Sequence, residues 1–494
     1  MSKKKKTKRT FGYGATKPNS DTFAAFLQAT RQTTLQTQTP EARATLRDLA
    51  RNEFLNNQHA GGIARLFGLY VVGTGPRLKF KGFDRRLRRE VDREMIDRVN
   101  FRWERFADEI RFAAKLRHAM QSLVVDGEAF LCVSLNPKTS TGFDVRLLDP
   151  QRIGNPDGRR SSASLQDGVY LDAWGNPEMY CVYDVPDSET YYRPSEYQLI
   201  GASQIMHLFR EDLPGQTRGV TWFASALPLL HQLREYTAAV VETAKKGARF
   251  VSSIETQAGF GMDAFHENYL LPGEALAETN EGEFQMLRYN AWDVFRTPNG
   301  DSLVLPPGTT QKSFDSSQPT SEAAAFTANI LGQIGYSMGL PRNKATGSSH
   351  EYNFASGRLD NQPFEMLVET LQRDSFERSC CDRLFKAFYQ CLEPELLMNF
   401  ESVPEVDEAD WEWVWPKPPL VDAESTARTN AIRIQSRQAT LGEVWNETHP
   451  YSEFSDVRDE FKRDARDFPD VYGTEALEDP PGENTAINEP KGQV

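Results

Sequence analysis

Leu229, Leu233, Tyr236, Val240 and Ala244 recur at spacings of three and four, with Leu230, Thr237 and Val241 beside them. That period predicts an amphipathic helix over 227–250. At ~1.5 Å per residue it is roughly 36 Å long, enough to cross a domain, and its apolar stripe needs a partner. Phe326, Ile330, Ile334 and Met338 recur every four residues and predict a second helix over 321–338, stopped by Gly339-Leu340-Pro341. Residues 342–357 carry Gly, Ser, Asn, Lys and His with little periodicity and read as a loop. A third helix follows to about residue 392, with Phe364, Leu367, Val368, Leu371, Cys380, Leu384 and Phe388 on its apolar side. Pro363 lies inside this pattern, so the helix should begin there or kink.

The pattern shortens over 120–210. The runs 129–133, 143–147, 180–183 and 205–209 are apolar or alternate, between Gly, Pro and Asn turns, and read as strands. The runs 283–287, 293–296 and 302–305 repeat this between the first two helices. Trp411, Trp413 and Trp415 alternate as a short strand before Pro416-Lys417-Pro418-Pro419, and amphipathic segments follow over 422–439 and 441–467. Residues 41–56 are helical, with Ala44, Leu46, Leu49 and Phe54 interleaved with charges. Over 77–117, Arg85, Arg86, Arg88, Arg89, Arg93 and Arg98 alternate with acids, which reads as an ion-paired helical stretch. The fold class expected is α+β.

Composition narrows the function classes. The 494 residues suffice for several domains, and 26% charged with 39% hydrophobic residues fit a soluble globular chain. No apolar run approaches the ~18 residues of a membrane span. The lysine run Lys3-Lys4-Lys5-Lys6 lacks the apolar core of a signal peptide, so a cytoplasmic protein is expected. Five cysteines show neither a disulfide framework nor a zinc spacing and read as buried thiols. The net charge of −13 argues against a tight grip on DNA, because such a grip is built on neutralised phosphates; an acidic protein that meets DNA should let it slide.

No phosphate-cradling Gly-Lys-Ser/Thr loop, Gly-x-Ser-x-Gly elbow or His-Glu-x-x-His helix occurs. The seven histidines are scattered. Glu405, Asp407, Glu408 and Asp410 could converge on a divalent metal, although a Pro-flanked solvated loop accounts for them too.

Pro214-Gly215-Gln216-Thr217-Arg218-Gly219-Val220 opens the long helix, and this turn resembles that of lambda-type tailed-phage portal proteins. Gly61-Gly62-Ile63, Val71-Val72-Gly73-Thr74-Gly75, Asp126-Gly127-Glu128-Ala129-Phe130 and Leu147-Leu148-Asp149-Pro150-Gln151-Arg152-Ile153 follow the family order. So do Leu305-Pro306-Pro307-Gly308, Gly339-Leu340-Pro341 and 352–358, where Tyr352-Asn353-Phe354 replaces the family's usual Tyr-Ser-Ser or Tyr-Ser-Thr. The resemblance covers roughly 45–465.

It implies a portal fold: a disordered basic tail (1–40), an N-terminal α/β wing (41–225), a first stem helix (226–254) and a small β-rich clip (255–318). A second stem helix (319–339) and a tunnel loop (340–357) follow. A long helix with the C-terminal wing and a crown-like helical region (358–472) and a disordered acidic tail (473–494) complete it. The implied role is that of a ring subunit, a dodecamer, at a capsid vertex of the virion, assembled in the host cytoplasm and lacking enzymatic activity and cofactors. Its implied partners are double-stranded DNA read without sequence specificity, the terminase large subunit, capsid and scaffold, and the head-tail connector, with no membrane. Arg342, Asn343, Lys344, Thr346, Ser348, Ser349 and His350 would line the channel; Leu229, Leu233, Tyr236 and Val240 would pack subunits; Gly215, Gln216, Arg218 and Gly219 form the family turn. The competing readings are a divalent-metal phage DNA-processing nuclease centred on Asp407, and a monomeric adaptor that docks through the tryptophan strand.

Overall fold

The computed structural model describes residues 40–84, 89–184, 196–249, 252–256, 275–278, 284–287, 294–297, 300–303, 309–313, 321–350, 352–401, 403–416 and 423–448. The two terminal tails, Arg85 to Arg88, Leu305 to Gly308 and the end of the 441–467 segment lie outside them. The chain divides into two units, 1–228 with 335–494, and 229–334.

The first unit begins with helices α1 (Pro40–Asn56) and α2 (Gln58–Phe67), separated by Asn57, whose side chain accepts from the His59 amide. α2 runs on into a π-helical turn over Gly68–Val72. The helical reading of 77–117 is corrected at its start: β1 (Arg77–Asp84) and β2 (Arg89–Glu90) precede α3 (Arg93–Glu109) and α4 (Phe112–Val125). Leu78 and Phe80 are buried while their neighbours Arg77, Lys79 and Lys81 are not, so the period there is two. The helix itself starts where Asp92 caps it, and its exposed face does carry an i,i+4 ion pair, Arg98 to Glu94 at 3.6 Å.

β3 (Glu128–Leu135), β4 (Phe143–Leu148) and β9 (Ile205–Phe209) form an antiparallel sheet in the order β4-β3-β9. In it Phe130 lies opposite both Leu148 and His207. A short 3-10 turn, Pro150–Arg152, follows β4. β5 (Leu165–Gln166), β6 (Val169–Leu171), β7 (Pro177–Tyr183) and β8 (Tyr197–Gly201) form an antiparallel meander. Phe130, Ile153, Val169, Tyr180, Val182 and Ile205 belong to one buried cluster that draws on both sheets.

Two corrections concern the helices after residue 340. Arg342–Thr346 is a short helix, α7, and not loop; Pro341 enters it with φ −66°, Ala345 is buried, and Gly347 ends it with φ 68°. The next helix, α8 (Phe354–Thr370), starts well before Pro363 because Asn353 and Ser356 form a reciprocal capping box. Pro363 is carried inside it, and the chain then passes through a π-helical stretch, Leu371–Cys381, into α9 (Asp382–Asn399).

The tryptophan alternation is strand β16 (Ala409–Val414), antiparallel to β1 with Trp413 opposite Leu78. Trp103, 1% exposed, centres the aromatic core here, 5.3 Å from Phe388, 5.4 Å from Trp413 and 5.6 Å from Phe385. The Trp411 and Trp413 indoles both donate to Asp382 Oδ1, at 2.9 and 2.8 Å, and Trp415 donates to Glu377 Oε1 at 2.6 Å. These indoles serve the chain's own core, while β16 stays at the edge of its three-stranded sheet. Asp382→Ala would leave two indole N–H groups without their acceptor, a loss of about 2–4 kcal/mol to be read from the denaturant midpoint. Helices α10 (Ala423–Gln435) and α11 (Leu441–Thr448) follow. Four of the cysteines are buried thiols as expected, and Cys391 is exposed.

The second unit contains most of α5 (Leu227–Arg249) and α6 (Ser321–Ser337), the helices read from the apolar spacings of three and four. Between them β10 (Ser252–Thr256) pairs antiparallel with β15 (Thr309–Ser313), closing the base of an insertion. Inside it β11 (Ala275–Glu278) pairs with β12 (Phe284–Leu287), and β13 (Val294–Thr297) with β14 (Gly300–Leu303). Tyr236 of α5 meets Phe326 of α6 edge-on at 4.9 Å.

Candidate functional site

The turn before α5 is closed by its own side chains. Gln216 Oε1 accepts from the Asp212 and Leu213 amides at 3.1 and 3.3 Å, and its Nε2 donates to the Arg218 carbonyl at 2.7 Å. Gly215 makes the reversal with φ 76°. Arg218 then points inward and is 1% exposed. Its Nε and Nη2 donate to Glu128 Oε2 and Oε1 at 2.8 and 2.6 Å, the two-pronged geometry in which a guanidinium holds a carboxylate best. The remaining N–H groups reach the carbonyls of Ile153 and Pro150, both at 3.3 Å, and of Asp167.

One guanidinium therefore joins four pieces of chain: the start of β3, the 3-10 turn after β4, the β5–β6 hairpin and the turn before α5. The Gly219 amide adds a bond to Glu128 Oε2 at 3.1 Å. Beyond it the chain is stitched to the end of α4, since the Trp222 amide and the Thr221 hydroxyl both donate to the Val124 carbonyl at 3.1 Å. Trp222 stacks edge-on against Phe67 at 5.3 Å, and α5 begins at Leu227.

The electrostatics follow from burial. Desolvation alone would raise the Glu128 carboxyl, but the Arg218 charge and its hydrogen bonds hold it well below the usual carboxylate range. Burial lowers the His207 ring below its ordinary value, against the pull of Glu128 Oε2 at 3.3 Å. His207 is stacked on Phe130 at 4.1 Å and faces Tyr180, whose hydroxyl burial pushes up to about 12. Arg47 lies 3.9 Å from Glu128 and is lowered by burial.

The pH dependence has one sign. A buried neutral His207 binds its proton less readily than the unfolded chain does, so stability falls as pH drops below ~6.5. Glu128, depressed in the fold, adds a further loss as pH drops below ~4.3. Melting temperature should fall from pH 7 to pH 5, and His207→Gln should flatten that slope.

The other predicted positions separate. Leu229 and Val240 are half-buried, whereas Leu233 is 1% exposed within the single chain and Tyr236 is taken by Phe326. In the 342–350 segment Arg342, Asn343, Lys344 and Thr346 are half-buried, while Ser348, Ser349 and His350 are exposed. The Thr346 hydroxyl caps back onto the Arg342 carbonyl at 2.9 Å. Lys344 Nζ sits 4.1 Å from the Tyr70 ring centre and 5.3 Å from that of Phe364. The carboxylates near 407 do not converge: Asp407 pairs with Lys386 at 2.7 Å, and Glu405 turns its carbonyl to the Glu408 and Ala409 amides. Among the described residues no group of His, Cys, Asp and Glu is disposed to hold a metal ion.

Glu128, His207 and Asp167 are partners that periodicity does not single out. A signal exists for Glu128, an acid at the head of an apolar strand that must find a buried cation. Its partner lies 90 residues away, and nothing local identifies it.

The profile of the family described as "Phage portal protein, lambda family" matches residues 27–372. A probable portal protein of Halomonas phage phiHAP-1 is 24% identical over 348 residues, which is 66% of this chain and 62% of that protein. Portal protein B of Escherichia phage lambda is 24% identical over 222 residues, 41% of each chain. This chain thus spans less than two thirds of these relatives. Among solved structures, a chain of the virion of a native gene transfer agent particle is 13% identical with a TM-score of 0.43, covering 84% of this chain and 92% of that one. A chain of the neck of the native particle, computed with C12 symmetry, is 13% identical with a TM-score of 0.42, over 83% and 94%.

Proposed function

Because this chain belongs to the lambda family of phage portal proteins, we propose that it is a structural ring subunit of a portal vertex, a conduit for DNA entering and leaving a capsid. The observation that carries the reading is the family match over 27–372, which takes in the Arg218 clasp, α5, the hairpin insertion and α6. On this reading α5 and α6 are stem helices and the insertion closed by β10 and β15 is the clip. The clip docks the terminase large subunit during packaging and the head-tail connector afterwards. The exposed Ser348, Ser349 and His350 face the channel and touch phosphates without reading sequence. Capsid and scaffold meet the outer surface, and twelve copies close the ring.

The role of the α5 stripe shifts on this reading. Leu233 and Tyr236 pack inside one chain, so neighbouring copies meet through the face of α5 left open. Among the described residues of α5, Val241 is the exposed large apolar side chain, at 46%. Val241→Asp is expected to give folded chains of about 56 kDa that fail to assemble, read by light scattering and circular dichroism. Leu233→Asp should instead lower the melting temperature, because it buries a charge. Assembly of Val241→Asp at the wild-type mass would refute packing through this face.

A further inference from the structure

Lys344 makes an aromatic contact that a bare channel-lining residue does not need. Its ammonium lies over the Tyr70 ring at 4.1 Å and beside Phe364 at 5.3 Å, and those rings meet edge-on at 5.3 Å, interplanar angle 85°. The aromatic side of this contact is fixed. Tyr70 sits in the π-helical turn Gly68–Val72, a motif that often marks functional positions. That turn is pinned where the Val71 carbonyl accepts from buried Gln372 Nε2 at 2.8 Å, and where the Gly73 carbonyl accepts from Arg117 at 2.6 Å. Phe364 is 2% exposed and rests on Phe67.

On the cationic side, α7 carries Lys344 and the stretch beyond it is held loosely. After Gly347 the chain is exposed through His350, and its hydrogen bonds stay local: Thr346 with Ser348 and His350 with Ser348 at 3.3–3.4 Å, and the Tyr352 amide to the Ser349 carbonyl at 3.1 Å.

We propose that Tyr70 and Phe364 form a reversible dock for the Lys344 ammonium, and that this dock sets the position of the 342–350 segment. A cation–π contact of this kind is strong enough to bias the segment and weak enough to open when a phosphate group competes for the same charge. The docked arrangement keeps Lys344 back from passing phosphates, and the open one releases it. That consequence rests on the portal reading; the dock itself does not. Tyr70 and Phe364 act through Lys344 and are positioning residues.

The test is amine labelling with an N-hydroxysuccinimide ester, with Lys344 followed by peptide mass spectrometry and exposed Lys138 as internal reference. In the wild type Lys344 should label more slowly than Lys138. Tyr70→Leu should speed Lys344 alone about two- to fivefold, whereas Tyr70→Phe, which keeps the ring, should not. Lys344→Gln lies on the segment itself and leaves the core intact; it should raise amide hydrogen exchange over 345–350 as Tyr70→Leu does. Equal labelling of Lys344 in wild type and Tyr70→Leu, with exchange over 345–350 unchanged in Lys344→Gln, would overturn the dock. Failure of the portal reading would show separately, as absence of rings with the labelling pattern intact.

Discussion

Arg218→Ala is expected to cost about 3–5 kcal/mol of folding stability and to lower the yield of folded chain sharply. The reason is what it leaves behind. Glu128 would remain fully enclosed with only the Arg47 guanidinium, 3.9 Å away, in place of a two-pronged partner, and the carbonyls of Ile153, Pro150 and Asp167 would each lose a donor. A buried ion pair adds little net stability when both partners are present, because removing two charges from water offsets their attraction. Its removal from one side is therefore far more damaging than its presence is helpful. Arg218→Lys should recover only part of the loss, since one ammonium cannot span both carboxylate oxygens and three carbonyls. Replacing both partners, Arg218→Met with Glu128→Met, removes the stranded charge but still strands the carbonyls, so it should fall between wild type and Arg218→Ala. Equilibrium denaturation of these variants checks the order. Wild-type stability in Arg218→Ala would mean that the clasp carries none of the unit's cooperativity.

Gly219→Ala should be worse still, beyond about 4 kcal/mol, the range in which single changes usually abolish folding. A Cβ there would lie 2.1 Å from the Gly127 carbonyl oxygen and 2.7 Å from its carbon, both backbone atoms with nowhere to move. The contact is reciprocal: a Cβ on Gly127 would meet the Val220 carbonyl carbon at 2.1 Å, and Gly127 also holds φ at +89°. Two backbones pass here without side chains between them, and that closeness is what lets the Gly219 amide reach Glu128. Gly127→Ala should therefore match Gly219→Ala, and the double variant should not cost the sum, because both remove one contact. Soluble expression and circular dichroism of the three would decide it.

Much of the frame was legible in the sequence because local period determines it. The strands at 205–209 and 143–147 and the two long helices fall where apolar spacing places them, since each buries one face against the rest. β1 was misread because its arginines and lysines mask a period of two carried by only Leu78 and Phe80. Pro363 left a start or a kink open, and the start is excluded because the side-chain exchange between Asn353 and Ser356 opens α8 nine residues earlier. The π-helical stretches leave no apolar period of their own.

The site was legible in a different way. The heptapeptide before α5 stood out as a motif, but its physical role did not, because Arg218 acts through Glu128 at a separation of 90 residues. The stripe on α5 could be read as apolar without revealing what covers it: Tyr236 is satisfied by Phe326 of the same chain. Periodicity tells that a face is buried, not which chain buries it. Lys344 shows the same limit, since neither Tyr70 nor Phe364 is near it in sequence.

Electron microscopy of the purified full-length protein tests the central claim most directly. The account predicts closed rings with a central hole, wide enough at the stem for a DNA duplex, that vanish in Val241→Asp while the chain stays folded. Single chains alone across a hundredfold range of concentration, or assemblies without a channel, would contradict it.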